Sequence, residues 1–483
     1  MQVLNNSMLK RNKDKSTSIK FNVFDYNNDT TIITNDLPGG NSICPSITID
    51  EDGGLHIVWE ESGIWYNYYN GSEWSGPIKI SQSSSFWNGM SHISPDIAID
   101  NNGTIHIVWQ QQVSYPLIVT SSDISSPMKG ISPSPSLARS EIFYCFSNGT
   151  GWSDNYIISQ NINDQNYGGN SYHPSIAVDS NGKIHVVWYD YARGPWSSTC
   201  AITYTSNNGL GWTNPHVISS YDISTWSGSL NYDPDIHIDY KDLLHIVWSK
   251  EDLDEDDYDI RYIYGDGYGW SNEIIISDDN RNWNDGPSSR PSITGDNDGN
   301  IYVVWEDGTD GAWGTDTEIM FSSKDYWGQW STPIVISDDK TKWNNGGSYI
   351  PSITVDNSGK IHIVWEDYTT GVWGTDSDIL YTHYDGIEWS EISIISDNKT
   401  NWNDEDSHRP SIAVDNNGRI HVVWEDDTFI SGIFYSSTNG YLLEIDTSNR
   451  TVSFGNIFIF TLTIGISIIF VLLRNKYKIL IKR

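Results

Sequence analysis

Hydrophobic and polar residues alternate in short runs along most of this chain, with the period of two that is typical of β-strands. In residues 351–356, Ile and Val alternate with Ser and Thr, and a second run, 360–365, ends at a Trp. The turn between them, 356–359, ends in a glycine, which adopts the positive φ of a hairpin turn at little cost. Two further runs, 378–382 and 391–396, complete a unit of four predicted antiparallel strands.

This unit recurs seven times, and its markers are a Pro at the start of the first strand and a Trp fourteen residues later. The prolines are Pro45, Pro95, Pro174, Pro234, Pro291, Pro351 and Pro410, and the tryptophans are Trp59, Trp109, Trp188, Trp248, Trp305, Trp365 and Trp424. Consecutive prolines are 50, 79, 60, 57, 60 and 59 residues apart, and recurrence in this range indicates stacked supersecondary units. No helical period is found before residue 450. We therefore predict an all-β fold, a seven-bladed β-propeller of four-stranded antiparallel blades, with a linear β-solenoid as the alternative.

The propeller is predicted over residues 21–445, after a basic lead-in at 1–20 that we expect to be disordered. The seventh unit has no fourth strand of its own, whereas residues 30–34 resemble the fourth strand at 155–159. We therefore predict that the N-terminal strand completes the last blade, because an open blade edge would leave backbone groups unpaired.

The C-terminal part of the chain has a different character. Residues 446–453 are typical of a stalk, 454–473 contain no charged residue and can span a bilayer as one transmembrane helix, and 474–483 form a basic tail. The positive-inside bias places that tail in the cytoplasm and the propeller outside the cell. Residues 1–20 contain no apolar signal region, so a signal precedes this N-terminus, or export uses another route, or the protein is tail-anchored with a cytosolic propeller. Four sequons are compatible with an exterior domain: Asn70, Asn102, Asn148 and Asn398.

The formal net charge of −35 narrows the choice of partners. It argues against nucleic acid, because phosphate binding needs clustered Lys and Arg. It agrees with plain solvation of a soluble domain, with cationic ligands or with bound calcium. The three cysteines, Cys44, Cys145 and Cys200, do not make a disulfide framework.

Tryptophan and acidic residues recur in loops of one predicted face, which the connections from strand 4 to strand 1 and from strand 2 to strand 3 share. The first kind of loop contains Trp283, Trp343 and Trp402, and the second contains Trp313 with Asp316 and Trp373 with Asp376. Such residues suit sugar binding, because an exposed ring stacks on C–H faces while carboxylates and amides bind hydroxyls. The alternative is that the recurring rings fill gaps between blades. Trp313 and Trp373 occur in fewer units and are therefore favoured as ligand contacts.

Carboxylates near the same loops are calcium candidates, because calcium takes hard oxygen ligands. They are Asp307, Glu318, Asp367 and Asp378. No other cofactor is predicted. Six histidines share one position of the second strand, where unit five has Tyr302, and this repetition indicates blade packing: His56, His106, His185, His245, His362 and His421.

The order of these pieces resembles the BNR, or Asp-box, repeats of sialidase-like propellers, in which Ser/Thr-x-Asp-x-Gly-x-x-Trp links strands 3 and 4. Residues 205–212 match with Asn207 in place of Asp, and residues 323–330 match except at the glycine. The resemblance covers about residues 30–445 and implies propeller architecture. Seven-bladed polysaccharide lyases and lectins are comparable relatives.

The resemblance implies less about activity than about architecture. Sialidases use six blades, an arginine triad, a Tyr–Glu nucleophile pair and an Asp acid/base. Arg290 and Arg409 each stand directly before a strand-1 proline, a place similar to the family's Arg-Ile-Pro motif, and they are candidates for ligand binding. That motif, a third arginine and the Tyr–Glu pair are not identified, so no catalytic residue is assigned.

We predict a membrane-anchored cell-surface propeller that recognises a glycan or protein ligand through its Trp- and Asp-rich loop face. The alternatives are a sialidase-like glycoside hydrolase or a polysaccharide lyase, and a structural or adhesion module without a small ligand. Binding is favoured over catalysis, because carboxylates are in excess and the sequence assigns no pair to hydrolysis. A catalytic site would instead bring unrepeated Arg, Tyr, Glu and Asp together at the central channel.

Overall fold

Seven four-stranded antiparallel sheets make up the computed structural model of this protein. It describes residues 31–34, 41–81, 94–115, 137–160, 169–191, 200–219, 230–252, 257–277, 286–326, 328–338, 344–371, 374–396, 405–427 and 431–438. The predicted seven-bladed propeller is confirmed. The predicted span at 454–473 and tail at 474–483 lie outside the described residues, and within those residues no helix is long and apolar enough to cross a bilayer.

Each blade, numbered 1 to 7 in chain order, has an inner, a second, a third and an outer strand. The inner strands are Ile43–Ile49, Asp96–Ile99, Asn170–Val178, Leu230–Ile238, Ser288–Gly295, Ser348–Val355 and Ser407–Val414. The second strands are Leu55–Glu60, Ile105–Tyr115, Ile184–Tyr191, Leu244–Asp252, Ile301–Asp307, Ile361–Asp367 and Ile420–Asp426. The third strands are Ile64–Tyr69, Leu137–Ser147, Cys200–Asn207, Asp257–Gly265, Glu318–Lys324, Asp378–Tyr384 and Gly432–Thr438. The outer strands of blades 1 to 6 are Ile78–Lys79, Tyr156–Ile157, His216–Val217, Ile274–Ile275, Ile334–Val335 and Ser393–Ile394.

The second strands explain why the Val-Trp pair is repeated. Along a strand, neighbouring side chains point to opposite faces of the sheet. Trp365 therefore packs against Val304 of blade 5, while Val364 packs on the other side with Trp424 of blade 7. The same arrangement gives seven hydrophobic clusters, one for each interface between neighbouring blades. All seven tryptophans are fully buried, and each contributes on the order of 4 kcal/mol of transfer free energy.

The ring is closed by the N-terminal strand, as predicted. Thr31–Ile32 is the outer strand of blade 7, where Thr31 pairs with Tyr435 and Ile32 with Phe434. The N–H of Ile33 continues the pairing by donating to the Ile433 carbonyl at 2.9 Å. The Ile33 side chain is 4% exposed and belongs to the cluster between blades 7 and 1.

The repeated histidines pack inside the blades, and each described ring bonds to a tyrosine hydroxyl of the third strand. In blade 1, His56 Nδ1 lies 2.7 Å from Tyr66 Oη, and His56 Nε2 lies 3.1 Å from Asp50 Oδ2. Burial lowers the pKa of His56, because the charged imidazolium loses its hydration. In blade 5 a tyrosine replaces the histidine, and the Tyr302 hydroxyl donates directly to Asp296 at 2.8 Å. The prediction that this position serves blade packing is confirmed.

The hairpins between third and outer strands also join neighbouring blades. Trp152 bridges back to Ser147 of its own blade and lies edge-to-face on Tyr66 of blade 1, with ring centroids 4.9 Å apart. Trp212 contacts Tyr144 and Trp389 contacts Phe321 in the same geometry. These rings are the end of the Asp-box-like segments, and their contacts show a structural role for them.

We expect removal of residues 1–35 to destabilise the propeller by about 3 kcal/mol or more, because it removes the outer strand of blade 7 and the buried Ile33. The apparent melting temperature should fall clearly below that of the full chain. A deletion of residues 1–20 is the control, since it leaves the closing strand in place. Equal melting temperatures for the two deletions would contradict closure by this strand.

We expect blade 6 to accept the arrangement of blade 5 as a pair of changes. His362 Nδ1 lies 2.8 Å from Tyr381 Oη, and blade 5 has Tyr302 and Phe321 at these positions. Each of His362→Tyr and Tyr381→Phe should cost about 1–3 kcal/mol, because it leaves a buried polar group unpaired. The double variant should recover at least about 1 kcal/mol in denaturant unfolding. Additive costs would show that the two side chains are not coupled.

Candidate functional site

An axial channel of about 340 Å³ runs between the inner strands, a volume within the range of ligand sites. Its wall is one tripeptide from each blade, made of a variable residue X, the frame proline, and Ser or Asp. The tripeptides are Cys44-Pro45-Ser46, Ser94-Pro95-Asp96, His173-Pro174-Ser175, Asp233-Pro234-Asp235, Arg290-Pro291-Ser292, Ile350-Pro351-Ser352 and Arg409-Pro410-Ser411. The X residues lie within the first four residues of the inner strands, or just before the strand in blade 2. We call this end of the channel the mouth.

A strained bulge places each X residue on the channel wall. Pairing between inner and second strands shifts at this point in six blades, as between Tyr349 and Ser352. The X residue there has a φ of 45° to 53°, which costs a non-glycine residue on the order of 1 kcal/mol or more. Such strain persists only where the surroundings enforce it, so the bulge is a point at which function can be sought.

The preceding blade holds the strained peptide through the residue that follows its Trp. The N–H of Ile350 donates to Glu306 Oε2 at 3.0 Å, and the N–H of Arg409 donates to Glu366 Oε2 at 3.1 Å. In blade 5 the N–H of Arg290 donates to Ser249 Oγ at 3.1 Å. Blade packing and the shape of the mouth are therefore coupled.

Blades 5 to 7 give the mouth a charged wall. Arg290 Nη1 lies 2.9 Å from Glu306 Oε1, and Arg409 Nη1 lies 2.7 Å from Glu425 Oε2. The two arginine side chains are 50% and 40% exposed, whereas both glutamates are 8% exposed. Each guanidinium is therefore held in place by a buried glutamate, and part of it remains exposed to a ligand.

His408 continues this wall in blade 7. Its Nδ1 lies 2.9 Å from Glu366 Oε1, which also accepts the Tyr368 hydroxyl at 2.8 Å. The hydrogen bond to Glu366 raises the pKa of His408.

Blades 3 and 4 give the mouth an aromatic wall. Tyr189 takes the position that Glu306 and Glu366 occupy in their blades, and its ring lies 5.3 Å from Tyr172 and 5.5 Å from Tyr232. Tyr191 joins the cluster, with its hydroxyl 3.4 Å from that of Tyr232. These rings are half-buried and remain accessible for stacking.

One imidazole–carboxylate pair lies beside these rings. His173 Nδ1 is 2.6 Å from Asp233 Oδ1, and the His173 ring is 5.4 Å from that of Tyr189. Both members of the pair are X residues of the channel wall.

Deeper in the channel, a hydrogen-bonded belt ties blades together. Asp96 Oδ2 accepts the N–H of Ile176 and Asp235 Oδ2 accepts the N–H of Ile293, each at 2.9 Å across a blade interface. Ser175 Oγ lies 3.2 Å from Asp96 and 2.9 Å from Asp235, but it has a single hydrogen. It can therefore donate to only one of the two carboxyl groups at a time. Burial raises the pKa of Asp96 and raises that of Asp235 to about 6.

The predicted ligand residues divide into three groups. Arg290 and Arg409 line the channel mouth, as the position before the proline suggests. Trp283, Trp343, Trp373 and Trp402 lie outside the described residues. Trp313, Asp316 and Asp376 are described, and none of them lines the channel.

Trp313 donates its indole N–H to the Thr309 carbonyl at 3.1 Å and packs against the cluster between blades 4 and 5. The Asp376 carboxylate accepts the N–H of Thr375 at 3.1 Å, and Asp316 Oδ2 is buried. Ligand contact by these three residues stays a prediction.

The calcium candidates connect strands and blades. Asp307 and Asp367 accept the indole N–H of Trp305 and Trp365, each at 2.9 Å. Asp378 Oδ1 accepts the Ser396 hydroxyl at 2.7 Å. Throughout the described ranges, no group of three or more His, Cys, Asp or Glu side chains is arranged to hold a metal ion.

Glu318, the fourth candidate, is fully buried. Its Oε2 accepts the Ser337 hydroxyl at 2.5 Å and lies 3.4 Å from the Asn344 amide nitrogen, which is 3.3 Å from Asp367. Burial, with Asp316, Asp338 and Asp367 nearby, raises the pKa of Glu318 to about 8.

Sequence reasoning missed Tyr189, Glu306, Glu366 and Glu425 as residues of the mouth. They directly follow the invariant Trp of the second strand, just as the X residues directly precede the invariant Pro. The sequence indicates these positions, because they vary between units while the neighbouring Trp or Pro does not. It gives no indication, however, that the two positions meet across a blade interface.

Comparisons with known proteins show the fold. No model of a known protein family matches the chain, and no curated protein matches its sequence. The solved structure of polysaccharide lyase Uly1 is similar, with a TM-score of 0.53 and 10% identity, over 89% of this chain and 95% of that one. Hadza microbial sialidase Hz136 matches with a TM-score of 0.45 and 14% identity, over 81% and 74% of the two chains. A Trypanosoma rangeli sialidase matches with a TM-score of 0.41 and 12% identity, over 83% and 59%. The likeness to the lyase shows a shared fold and, at this identity, no more than the fold.

We expect Glu318→Gln to change the pH dependence of stability. The pKa of Glu318 is raised from 4.5 to about 8 in the fold, so the folded state keeps a proton that the unfolded chain loses. Stability from this group is present below pH 4.5 and falls as pH rises toward about 8. Glutamine needs no proton, so the variant should gain about 1–3 kcal/mol over the parent at pH 8 and little at acid pH.

Asp356→Asn is the control with the opposite sign. Burial opposes ionisation of Asp356, but the nearby His362 ring, 3.6 Å away, and hydrogen bonds from Ser358 and the Lys360 N–H outweigh it and lower its pKa. Its stabilisation is present at neutral pH and lost in acid, so this variant should be weaker at neutral pH. Denaturant unfolding across pH measures both variants. A Glu318→Gln effect that does not grow between acid and alkaline pH would contradict the raised pKa of Glu318.

Proposed function

We propose that this propeller binds a glycan at the channel mouth. The observation that carries the proposal is that unrepeated side chains gather there: Arg290, Arg409 and His173 on the ring of X positions, with His408 and a tyrosine cluster beside that ring. The tryptophans repeated in every blade are buried between blades and build the fold. Residues that differ between blades converge once, as a specific site requires.

The two walls of the mouth suit a sugar. Tyr172, Tyr189 and Tyr232 offer ring surface for the C–H face of a pyranose. Arg290 and Arg409, each held by a buried glutamate, offer fixed donors for ring hydroxyls. A concave site with aromatic surface and a few placed polar groups is the usual form of a small-ligand site.

A second candidate function, cleavage of the bound glycan, is favoured by the His173–Asp233 pair at 2.6 Å beside Tyr189. A histidine held by a carboxylate can act as a general base or acid if its second ring nitrogen reaches the substrate. Product release from a bound oligosaccharide, lost in His173→Gln, would favour this function over binding alone.

We also propose that the chain is anchored by residues 454–473 with the propeller outside the cell. The uncharged segment and the basic residues after it support this placement. Asn70, Asn102 and Asn148 lie exposed in hairpin turns, which agrees with sequons that an exterior enzyme could modify.

We expect a glycan array probed with the full-length chain to identify a binding oligosaccharide, and two mouth variants to weaken its binding about 10-fold or more. Arg290→Gln removes a donor, and Tyr189→Leu removes the ring while keeping apolar volume. Tyr268→Ser is the control, because Tyr268 is 86% exposed in a hairpin turn away from the mouth. Dissociation constants of the parent and variants measure the effect.

The location of the ligand is tested by the same set of proteins. Binding that both mouth variants retain, and that Trp313→Leu loses, would place the ligand at the loops between second and third strands. No binding to any oligosaccharide of the array would count against a glycan ligand and for a structural module.

A further inference from the structure

The chemical class of the bound sugar can be argued from the charges of the mouth, on the basis of the proposed function. Its described cations are Arg290, Arg409, His173 and His408, and its described carboxylates are Glu60, Asp233, Glu306, Glu366 and Glu425. Even with both imidazoles protonated, four cations face five carboxylates. Asp96 and Asp235 below can add only negative charge. The described part of the mouth therefore carries no positive excess.

Each of the two arginines also already bonds to a glutamate on one side of its guanidinium. Arg290 Nη1 lies 2.9 and 3.2 Å from the two oxygens of Glu306, and Arg409 Nη1 lies 2.7 Å from Glu425. A ligand carboxylate that approached either guanidinium would come close to a glutamate of the same charge. In a partly buried site this repulsion is only weakly screened.

A hydroxyl group meets the same pair without conflict. It accepts an N–H from the guanidinium and donates its own hydrogen to the neighbouring glutamate, whereas a carboxylate can only accept. The pattern occurs at Arg409–Glu425. At Arg290–Glu306, Glu306 already accepts the Ser289 hydroxyl at 2.8 Å and the Ile350 N–H at 3.0 Å, so this pair offers a hydroxyl the guanidinium donors only.

We propose that the saccharide end bound in the mouth is uncharged, and that the Arg409–Glu425 pair binds a sugar hydroxyl as donor and acceptor at once. Uronates and other acidic sugars are then disfavoured. The net charge of −35 on the whole chain acts in the same direction at low salt.

The test uses matched oligosaccharides with the full-length chain. The probes are oligouronates of several linkages, each beside the same chain after reduction of its carboxyl groups to primary alcohols. The reduced form should bind at least about 10-fold more tightly than its acidic parent, and this ratio should shrink at high salt.

Glu425→Gln separates charge from shape. It keeps the size of the side chain and a hydrogen-bonding amide but leaves Arg409 without its counter-charge. The preference for the reduced form should fall about 10-fold or more in this variant. Glu388→Gln changes the net charge equally at an exposed hairpin turn away from the mouth and should leave the ratio unchanged.

The outcomes distinguish this inference from the proposed function. Tighter binding of the acidic form by the parent chain would overturn the inference and leave glycan binding intact. An equal shift of the ratio in Glu388→Gln would also overturn it, because the preference would then reflect overall charge. Binding of neither form of any pair would overturn both the inference and the proposed function.

Discussion

The burial of one tryptophan at each blade interface is the interaction on which this molecule depends. A second strand that is apolar on both faces cannot be stable in an isolated blade, because each blade covers only one side of its neighbour. Val364 and Trp365 illustrate this, since they are adjacent in sequence and pack against different blades. Only a closed ring buries both faces of all seven second strands. This explains why the N-terminal strand Thr31–Ile32 completes blade 7.

Packing of the blades also shapes the mouth of the channel. At four of the described interfaces the residue after the tryptophan accepts the N–H of the strained X residue of the next blade, as Glu306 does from Ile350 and Glu366 from Arg409. The buried frame thereby places a variable side chain on the axis at each step of the ring. The hydrogen bonds across the interface hold the backbone of the X residue and not its side chain. The X residue can therefore differ from blade to blade while the fold stays the same.

Several carboxylates of this acidic protein are buried and connect its strands and blades. Asp367 is bonded to the indole of Trp365 and lies next to Glu318, and Asp96 and Asp235 share Ser175 on the axis. Burial raises the pKa values of Asp96, Asp235 and Glu318, because the charged carboxylate loses its hydration, and neighbouring carboxylates add to the effect at Asp235 and Glu318. These residues serve connections between strands and blades, and this accounts for their repetition better than a metal site does.

The sequence alone determined the period, the four strands of each unit, the closing strand and the packing role of the histidines. Apart from the closing strand, which follows from the missing fourth strand of the seventh unit, these features are local, since alternation, turns and a Pro-to-Trp spacing are encoded within each unit. The tertiary structure decided which variable residues share one surface. Tyr189 and Arg409 lie far apart in the chain and meet at the mouth only because seven inner strands converge on one axis, a property of the closed ring that no single unit encodes.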